Sequence, residues 1–368
     1  MRGNREERKM SEKNWDMYTY ILETKQAVRD IVAEQNTIFK SAVSYALSRE
    51  FEQVYIIGSG TSYHAAVAAR PVIEKALGLK VYQSYPIEFK DEQIFNPKTL
   101  VIGISHAGMS ASTIAGLDRA RKDGFATIAV TAEKDRPILE HADAQLFIEM
   151  PFEYAGPKTK GYICSIVTLV IFGLKVALAK KQITQEDYDD AIERMLKTTD
   201  NIPTIAEKAK AWYESNREEF MACRRIYVIG YQNTLSAMME GTLKISESVR
   251  YSTQCYELEE FMHGIYHSID SNTYMLYLGA KGQYFDRIKR LKNYFVTERN
   301  AHCFMISNEQ NDAKDFCFDF VNDPDFASME YVVPLQVFAR FCSADLGIDA
   351  NIPSDPLFHK KMASYIFE

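Results

Sequence analysis

Two loops rich in hydroxyl side chains follow apolar runs in the first third of the chain. They read GSGTSYH at 58–64 and SHAGMSAST at 105–113. Serine and threonine hydroxyls bind phosphate as neutral donors beside backbone amides, and Gly58, Gly60 and Gly108 let the backbone approach the ligand closely. One such loop is more often a plain helix cap. Two loops at neighbouring strand ends favour a phosphate site.

These loops match neither of the common nucleotide-binding fingerprints. A Walker loop has the form G-x-x-x-x-G-K-[ST], and a dinucleotide-binding loop has the form G-x-G-x-x-G. The formal net charge of −7 provides no general attraction for nucleic acid or anionic lipid. We therefore expect a small phosphorylated ligand, with no nucleic-acid partner and no membrane partner.

A second group of residues that could do chemistry lies in the second half of the chain. On a helix, Glu240, Lys244 and Glu247 fall on one face. Such a face is more often a solvated ion-pair surface than a catalytic one. His263 and His267, four residues apart, have the spacing of two metal ligands, but no third ligand accompanies them, and we expect no metal.

The elements that must position these residues alternate between short β-rich runs and amphipathic helical patterns, which is typical of a parallel sheet covered by helices on both faces. Gly78 and Gly124 follow the first two helical patterns where a helix would end. The predicted strands of the first half are VYIIGSG (54–60), KVYQSY (80–85), TLVIGIS (99–105), ATIAVTA (126–132) and AQLFIEM (144–150).

The second half repeats this order at an offset of roughly 171 to 175 residues, which indicates two copies of one α/β unit. We expect an N-terminal helical arm at 1–30, a first unit at 31–200 that holds both hydroxyl loops, and a second unit at 201–368 with a C-terminal tail. The matching segments are IYVIGYQ (226–232), CYELEEF (255–261), TYMLYLG (273–279), AHCFMIS (301–307) and DFCFDFV (315–321).

The cysteines and the apolar segments bear on location. The six cysteines show no C-x-x-C pair and no regular spacing, so we expect neither a zinc site nor a disulfide framework, and the cytoplasm is the expected compartment. The charged start is unlike a signal peptide, and Met10 is a plausible true beginning. The apolar stretch at 163–174 is too short to span a bilayer and is expected to be a buried helix.

Four motifs together resemble the sugar isomerase (SIS) domain family in its tandem form. They are GSGTSYHA, ISHAGMSAST, EGTLKISES and EEFMHG. The resemblance is to the isomerase half of glucosamine-6-phosphate synthase and to fructosamine-6-phosphate deglycases, and it runs from about residue 30 to the end. It implies two doubly wound parallel-sheet domains in tandem, each a three-layer αβα, flavodoxin-like unit.

The resemblance also implies roles for individual residues. In this chain Glu247 takes the place of the acid/base that moves a proton between C1 and C2. His263 takes the place of a ring-opening histidine that reaches the neighbouring subunit, which implies a homodimer or higher homo-oligomer with a shared site. The tail DPLFHKKMAS puts Lys361 on a catalytic lysine, with Lys360 a close competitor. The implied phosphate-binding residues are Ser62, Ser105 and Ser110, with Gly60, Thr61 and His106 in the same loops.

The chain also departs from the synthase pattern. No N-terminal cysteine nucleophile and no room for a glutaminase domain are apparent, so a complete glutamine-dependent synthase is not expected. In the second loop Ala107 stands where the synthase has serine, and His106 where it has glutamine. The segment FEYAGPKTKGYICS also differs, which leaves Thr159 and Lys160 as candidate contacts for the sugar.

The function expected from these observations is deglycation of a fructosamine 6-phosphate. Glu247 would shuttle the proton, and water would release glucose 6-phosphate and the amine. The alternatives are a glucosamine-6-phosphate deaminase, an aldose–ketose isomerase, and a non-catalytic sugar-phosphate-binding regulator. No metal or organic cofactor is implied. A DNA-reading regulator would need a basic helix-turn-helix, and the N-terminal segment 1–30 contains no such pattern.

Overall fold

A computed structural model describes residues 16–367. Residues 1–15, which include half of the predicted N-terminal arm and the predicted start at Met10, lie outside the described residues. The rest of that arm is helical, because α1 spans Met17–Ala33. Asp16 caps α1 and also accepts a hydrogen bond from Arg340 Nε at 2.5 Å, so the start of the first helix is tied to the last long helix.

Two five-stranded sheets form the centre of the described chain, and every strand pair within them is parallel. Their orders are β2-β1-β3-β4-β5 and β10-β9-β8-β6-β7, which is the same order when each unit is counted from its own first strand. This is the flavodoxin-like order, so the prediction of two repeated, doubly wound α/β units is confirmed.

Nine of the ten strands match the segments predicted from the sequence, whereas the seventh strand overlaps only the start of CYELEEF (255–261), whose last four residues form a helix. The ten strands are β1 Gln53–Ile57, β2 Lys80–Ser84, β3 Thr99–Ile104, β4 Ala126–Thr131, β5 Ala144–Phe147, β6 Arg225–Gly230, β7 Ser252–Glu257, β8 Tyr274–Gly279, β9 His302–Ser307 and β10 Phe316–Cys317. The tenth strand is shorter than predicted. It follows Asp315, whose carboxylate accepts from buried Lys292 at 2.6 Å and from the Met305 amide at 2.7 Å.

Helices cover both faces of each sheet. Those up to residue 200 are α1, α2 Gln35–Ile38, α3 Lys40–Leu47, α4 Thr61–Leu77, α5 Pro86–Asp91, α6 Ala111–Lys122, α7 Lys160–Ala179 and α8 Gln185–Asp200. Those beyond it are α9 Ile202–Ser215, α10 Arg217–Ala222, α11 Leu235–Ser248, α12 Leu258–Phe261, α13 Phe285–Arg299, α14 Ala327–Asp345 and α15 Phe358–Lys361. Gly78 ends α4 in the left-handed conformation, as predicted.

The apolar helix α7 is part of the core. By length and composition the helix could cross a membrane. However, 83% of its most apolar 18-residue segment is buried inside the protein. It packs against α4 and α1. The prediction of a buried helix at 163–174 is therefore confirmed, but the expectation that it is too short to span a bilayer is wrong, because the helix extends to 20 residues.

The two units share one large hydrophobic core, in which helices from both halves pack together. The predicted junction near residue 200 coincides with the break between α8 and α9, where Asn201 separates the two helices. The exact domain limits stay a prediction, because α1 and α8 both pack on α14 of the second half. The contact that matters for the site is the one between α4 and α11, which joins the two units directly.

Candidate active site

The first hydroxyl loop begins where β1 ends, beside the adjacent strand β3. A Cβ atom at Gly58 would lie 2.9 Å from Ile104 Cγ2, so only glycine fits between the two strand ends. Gly60 has a φ of +55°, which favours glycine, and it leads directly into α4. Ser62 is buried in the first turn of that helix. The loop is therefore built for close approach at a helix N-terminus.

The second hydroxyl loop lies at the end of β3, on the neighbouring strand. Ser105 is buried, and its Oγ accepts from the Ser110 amide at 3.4 Å. Ser110 Oγ in turn accepts from Thr113 Oγ1 at 3.1 Å and lies 3.3 Å from Ser112 Oγ. These hydroxyls gather at the N-terminus of α6, a helix of 12 residues. The sheet thus brings the two predicted loops to adjacent strand ends, at the point where the strand order reverses.

The C-terminal tail crosses the second loop. Tyr365 forms an antiparallel bridge with Ser110. The Ala111 amide donates to the Ser364 carbonyl at 3.1 Å, and the Ile366 amide donates to the Met109 carbonyl at 2.9 Å. Burial raises the pKa of the Tyr365 phenol, and the negative charge of Glu247 adds to the increase. The tail therefore pairs with the second hydroxyl loop and brings Tyr365 close to the predicted acid/base.

Lys361, the predicted tail lysine, is exposed and pairs with Asp355 at 2.8 Å. Lys360 is exposed as well. In this structure the tail residues next to the loop are Ser364, Tyr365 and Ile366, and neither lysine is among them. No local pattern singles out Tyr365, because nothing in a short tail segment specifies the strand it pairs with. The role of Lys361 stays a prediction.

The face of α11 that carries Glu240, Lys244 and Glu247 is mostly buried. The expectation of a solvated ion-pair surface is therefore wrong for Glu240 and Lys244. Lys244 Nζ lies 3.0 Å from Glu240 Oε1 and 2.5 Å from Glu247 Oε1. Glu240 and Lys244 are 0% and 1% exposed, whereas the Glu247 side chain is 36% exposed. Only the last carboxylate can therefore meet a ligand from solvent.

This face is fastened to the first hydroxyl loop. Thr61 Oγ1 donates to Glu240 Oε1 at 3.1 Å and lies 3.3 Å from Lys244 Nζ. His64 Nδ1 lies 2.7 Å from Glu240 Oε2. The predicted loop residue and the predicted acid/base helix, 179 residues apart in sequence, therefore meet at one place. The second unit supplies the charged groups, and the first unit supplies the hydroxyls.

The buried pair is held in its charged form. Burial opposes the charge on Lys244, but the carboxylates of Glu240 and Glu247 outweigh it and raise the pKa of the ammonium above its usual value. Burial likewise opposes the charge on Glu240, yet Lys244 and His64 lower the pKa of its carboxyl. Glu247 consequently faces a permanent cation on its inner side.

His106 lies deep in the second loop, where its Nδ1 has no hydrogen-bond partner among residues 16–367. Burial lowers its pKa to about 3, and the nearby charges of Lys158 and Lys244 act in the same direction. The ring packs on Gly161, where a Cβ atom would lie 2.6 Å from His106 Cε1. The imidazole is therefore neutral at ordinary pH, and His106 is one of the residues that line a cavity of about 400 Å³.

A neutral buried His106 has a consequence for stability. The unfolded chain, with a histidine pKa of about 6.5, binds a proton that the folded chain excludes until about pH 3, so this residue destabilises the fold as pH falls below 6.5. Between pH 7 and pH 5 the cost is about 2 kcal/mol. We expect His106→Gln to remove this loss of unfolding free energy, measured by urea denaturation at both pH values. Exposed His267→Gln is the control, and an unchanged pH slope in His106→Gln would contradict the buried, neutral imidazole.

Lys158 borders the same cavity, although no sequence motif indicated it. Its Nζ donates to the carbonyls of Glu153 and Ala155 at 2.6 and 2.9 Å. Burial lowers its pKa, against the opposing charges of carboxylates that include Glu247. Lys158 reaches the cavity because the irregular loop that carries it follows a particular path. Irregular loops have no periodic sequence pattern, so this position could not be predicted.

The two candidates that the sequence did suggest in this segment are occupied elsewhere. Lys160 pairs with Glu23 at 2.7 Å, and its ammonium lies 4.8 Å from the Tyr20 ring centroid. Thr159 is buried and donates to Glu153 Oε1 at 2.9 Å. Both residues therefore support the loop and do not line the cavity.

His263 lies just beyond α12 and is exposed. In the described part of the chain no hydrogen bond or ion pair joins its side chain to Glu247 or to either hydroxyl loop. One chain therefore does not bring the predicted catalytic pair together by direct contact. Between residues 16 and 367 no group of three His, Cys, Asp or Glu side chains is arranged to hold a metal ion.

Residues 47–174 match the SIS domain family, and this range contains both hydroxyl loops. The chain therefore carries a SIS domain in its first unit, and the recurrence of the same strand order is consistent with a second one in tandem. The recognition made from the motifs is confirmed.

The chain is also similar to curated enzymes over most of its length. It is 27% identical over 318 residues to a glutamine–fructose-6-phosphate aminotransferase (isomerizing) from Clostridium tetani (strain Massachusetts / E88), covering 84% of this chain and 52% of that protein. The chain thus spans about half the length of this curated relative. The common part corresponds to the tandem-domain region that the motifs resemble.

Solved structures agree with the described fold. A candidate phosphosugar isomerase from Clostridium difficile 630 superimposes with a TM-score of 0.90 at 27% identity, covering 96% of this chain and 99% of that one. A candidate sugar-binding protein from Salmonella typhimurium LT2 superimposes with a TM-score of 0.81 at 28% identity, covering 89% and 99%. The chain therefore shares the α/β fold of these structures and has its SIS-domain match in the first unit.

Proposed function

We propose that the protein is a sugar-phosphate enzyme that removes the amine from a fructosamine 6-phosphate and releases glucose 6-phosphate. The observation that carries the proposal is the Lys244–Glu247 pair at 2.5 Å, which Thr61 connects to the first hydroxyl loop of the other unit. An anion-binding loop alone would serve a sensor. A partly exposed carboxylate held beside that loop is what proton transfer in a bound sugar requires.

The phosphate anchor in this proposal is made of neutral donors. Ser62, Ser105 and Ser110 supply hydroxyls at the N-termini of α4 and α6, where the helix dipoles favour an anion. With the phosphate fixed there, the sugar extends toward α11 and the cavity beside His106. The neutral imidazole offers hydrogen bonding to sugar hydroxyls without adding a charge.

The reaction needs one proton to move between neighbouring carbons. Glu247 takes a proton from C1, which carries the amine, and the electron pair forms a C1–C2 double bond as the C2 carbonyl oxygen gains a proton. Return of the proton to C2 gives an aldehyde-level imine at C1. Water adds to that imine, the C1–N bond breaks, and glucose 6-phosphate and the free amine leave. Lys244 orients the carboxylate throughout.

The anchor makes a prediction for Ser105. Its hydroxyl binds the non-reacting phosphate, so Ser105→Ala removes binding that is equal in the ground state and the transition state, and KM should rise with little change in kcat. A hydrogen bond to a charged group contributes about 1.5–3 kcal/mol, which corresponds to a rise of roughly 10- to 100-fold. Initial-rate kinetics measure the effect, with exposed Ser215→Ala as the matched control. A loss confined to kcat would argue against an anchoring role.

His263 enters the proposal as the ring-opening acid of a neighbouring subunit, in a homodimer with shared sites. Its exposure and the lack of direct contact with Glu247 within one described chain support a role across an interface. Glu247→Gln and His263→Ala homodimers should each be inactive. Mixing them should restore activity, because a mixed dimer contains one intact site. Failure to recover activity after verified subunit exchange would contradict the shared site.

The thiols support an intracellular location for this function. All six cysteines are unpaired, and four of them are buried. A protein with this many free thiols is suited to a reducing compartment, and we propose the cytoplasm.

A substrate panel tests the proposed function against its alternatives. Fructosamine 6-phosphates of several amino acids, glucosamine 6-phosphate and fructose 6-phosphate are assayed for released amine and for the hexose phosphate formed. We expect glucose 6-phosphate and amine in equal amounts from at least one fructosamine 6-phosphate. Ammonia from glucosamine 6-phosphate alone would indicate a deaminase, and interconversion of fructose 6-phosphate alone would indicate an isomerase. Binding without turnover across the whole panel would indicate a sensor. Any of these three results overturns the proposal.

A further inference from the structure

A second cavity, of about 490 Å³, lies at the carboxyl end of the second sheet. Its wall combines the turn after β6, the loop after β8 and the middle of α4 from the first unit. Gln232 and Asn233 come from the turn, Lys281 from the loop and Arg70 from the helix. The volume is in the usual range for small-molecule pockets, about 300–1,000 Å³.

The repeat makes this cavity the counterpart of the candidate active site. Gln232 occupies the place in the second unit that Gly60 has in the first, and both have a positive φ, +45° and +55°. Lys281 likewise corresponds to Ala107, since each comes four positions before the helix that follows its loop, α13 or α6. The two loops therefore share a positive φ at this position, although Gly60 leads directly into α4 and Gln232 begins a 3-10 turn that precedes α11.

The charged groups differ between the two places. When the two units are aligned with Gly60 opposite Gln232, Ala68 and Val72 of α4 stand where α11 has Glu240 and Lys244. The second cavity therefore lacks the acid/base face of the first, and the serine cluster is absent from its loop. It gains Lys281 at the position where the first loop carries Ala107. The sequence thus exchanges catalytic groups and hydroxyls for cations.

The cations of this cavity retain unused hydrogen-bonding groups. Arg70 Nε is buried and has no hydrogen-bond partner among the described residues, although Nη1 lies 3.6 Å from Glu74 Oε2. No ion pair within residues 16–367 involves the Lys281 ammonium, and only its backbone amide is engaged, with Asn322 Oδ1 at 3.1 Å. The carboxylate in the wall, Asp325, pairs at 3.0 Å with Arg194, which also pairs with Asp190 and Asp323. The wall of the cavity therefore contains two cations, Arg70 and Lys281, and one carboxylate.

We propose that this cavity is a second, non-catalytic site that binds a phosphorylated sugar. Arg70 and Lys281 bind the phosphate, and the amide side chains of Gln232 and Asn233 bind sugar hydroxyls. The site does not depend on which reaction occurs at the first one. Occupancy bears on the first site through α4, because Ser236 Oγ in the cavity wall donates to the His64 carbonyl at 2.6 Å, and His64 contacts Glu240.

Equilibrium binding of glucose 6-phosphate and of inorganic phosphate to the full chain, followed by calorimetry, tests the proposal. Wild-type protein should bind two molecules of glucose 6-phosphate per chain, and Ser105→Ala should keep the second site intact. The double variant Arg70→Gln/Lys281→Gln should bind one. The single variant Lys281→Gln should weaken the second site about 10-fold, since one charge-assisted hydrogen bond is lost. An Arg299→Gln/Lys208→Gln variant, which removes exposed cations elsewhere in the same unit, should bind two.

Three results would overturn the proposal. One is a single binding event in the wild type that Ser105→Ala abolishes. Another is a second event whose affinity is unchanged in both cavity variants. The third is a second event that the distant control variant removes equally. The experiment measures binding and not turnover. It therefore still tests the second site if the reaction proposed for the first site is wrong.

Discussion

Replacing Glu247 by glutamine lowers kcat by about 10²- to 10⁴-fold, the usual contribution of a positioned acid or base. The amide keeps the size of the side chain but cannot take the C1 proton. Glu247 is 36% exposed and lies on the rim of the buried pair, so its replacement should leave the fold intact. Initial rates with the preferred fructosamine 6-phosphate measure the loss, and calorimetry should show that binding of the substrate survives.

The matched control is Glu214→Gln, which changes an exposed carboxylate whose nearest cation, Lys210, lies 3.9 Å away. It should retain full activity. Turnover by Glu247→Gln within a few-fold of the wild type would remove this residue from the mechanism. Lost binding together with lost turnover would point to a role in holding the sugar instead.

Lys244→Met is expected to cost about 3–5 kcal/mol of unfolding free energy, because it leaves the carboxylate of Glu240 buried without its cation. Lys244 and Glu240 are 1% and 0% exposed, and their charged atoms lie 3.0 Å apart. The same change releases Glu247 from its contact at 2.5 Å, so kcat should fall as well. Urea denaturation measures the stability, and exposed Lys208→Met should stay within about 0.5 kcal/mol of the wild type.

The double variant Glu240→Gln/Lys244→Met separates burial of a lone charge from loss of packing. It removes both charges, so its loss of stability should be smaller than that of Lys244→Met alone. A cost below about 1 kcal/mol for the single variant, or a double variant at the sum of the two single effects, would contradict a tightly coupled buried pair.

The strand pattern and its repetition could be predicted from the sequence, because buried parallel strands leave short apolar runs that end in glycine and hydroxyl residues. The runs at 54–60 and 99–105 became adjacent strands, and this placed Gly60 and Ser105 at one edge of the sheet. Parallel pairing thus made the position of the two loops predictable from local signals alone.

What could not be predicted depends on contacts between distant segments. The burial of Glu240 and Lys244 results from the packing of α11 on α4, and a polar helix face gives no sign of such a partner. Lys158 and Tyr365 lie on irregular segments, and a sequence does not reveal how such a segment crosses a site. The role proposed for His263 depends on a second chain, whose position a single sequence does not reveal.

The sequence shows that the second repeat has a lysine in the loop where the first has hydroxyl residues. It does not show which other residues this lysine lies near. The segment YLGAKGQYF lacks the serines of the first loop. Only the structure shows that its lysine joins Arg70 of the other unit around a cavity. If both proposals hold, the repeat uses one fold for two kinds of anion site, and only the first has a carboxylate placed for chemistry.

In the proposed reaction, Glu247 moves a proton from C1 of a phosphorylated fructosamine. The most direct test uses substrate that carries two deuterium atoms at C1, with the hexose phosphate product identified by mass and NMR. We expect glucose 6-phosphate with one deuterium left at C1, formed by the wild type and not by Glu247→Gln. Fructose 6-phosphate that keeps both deuterium atoms, or equal product formation by Glu247→Gln, would contradict this role.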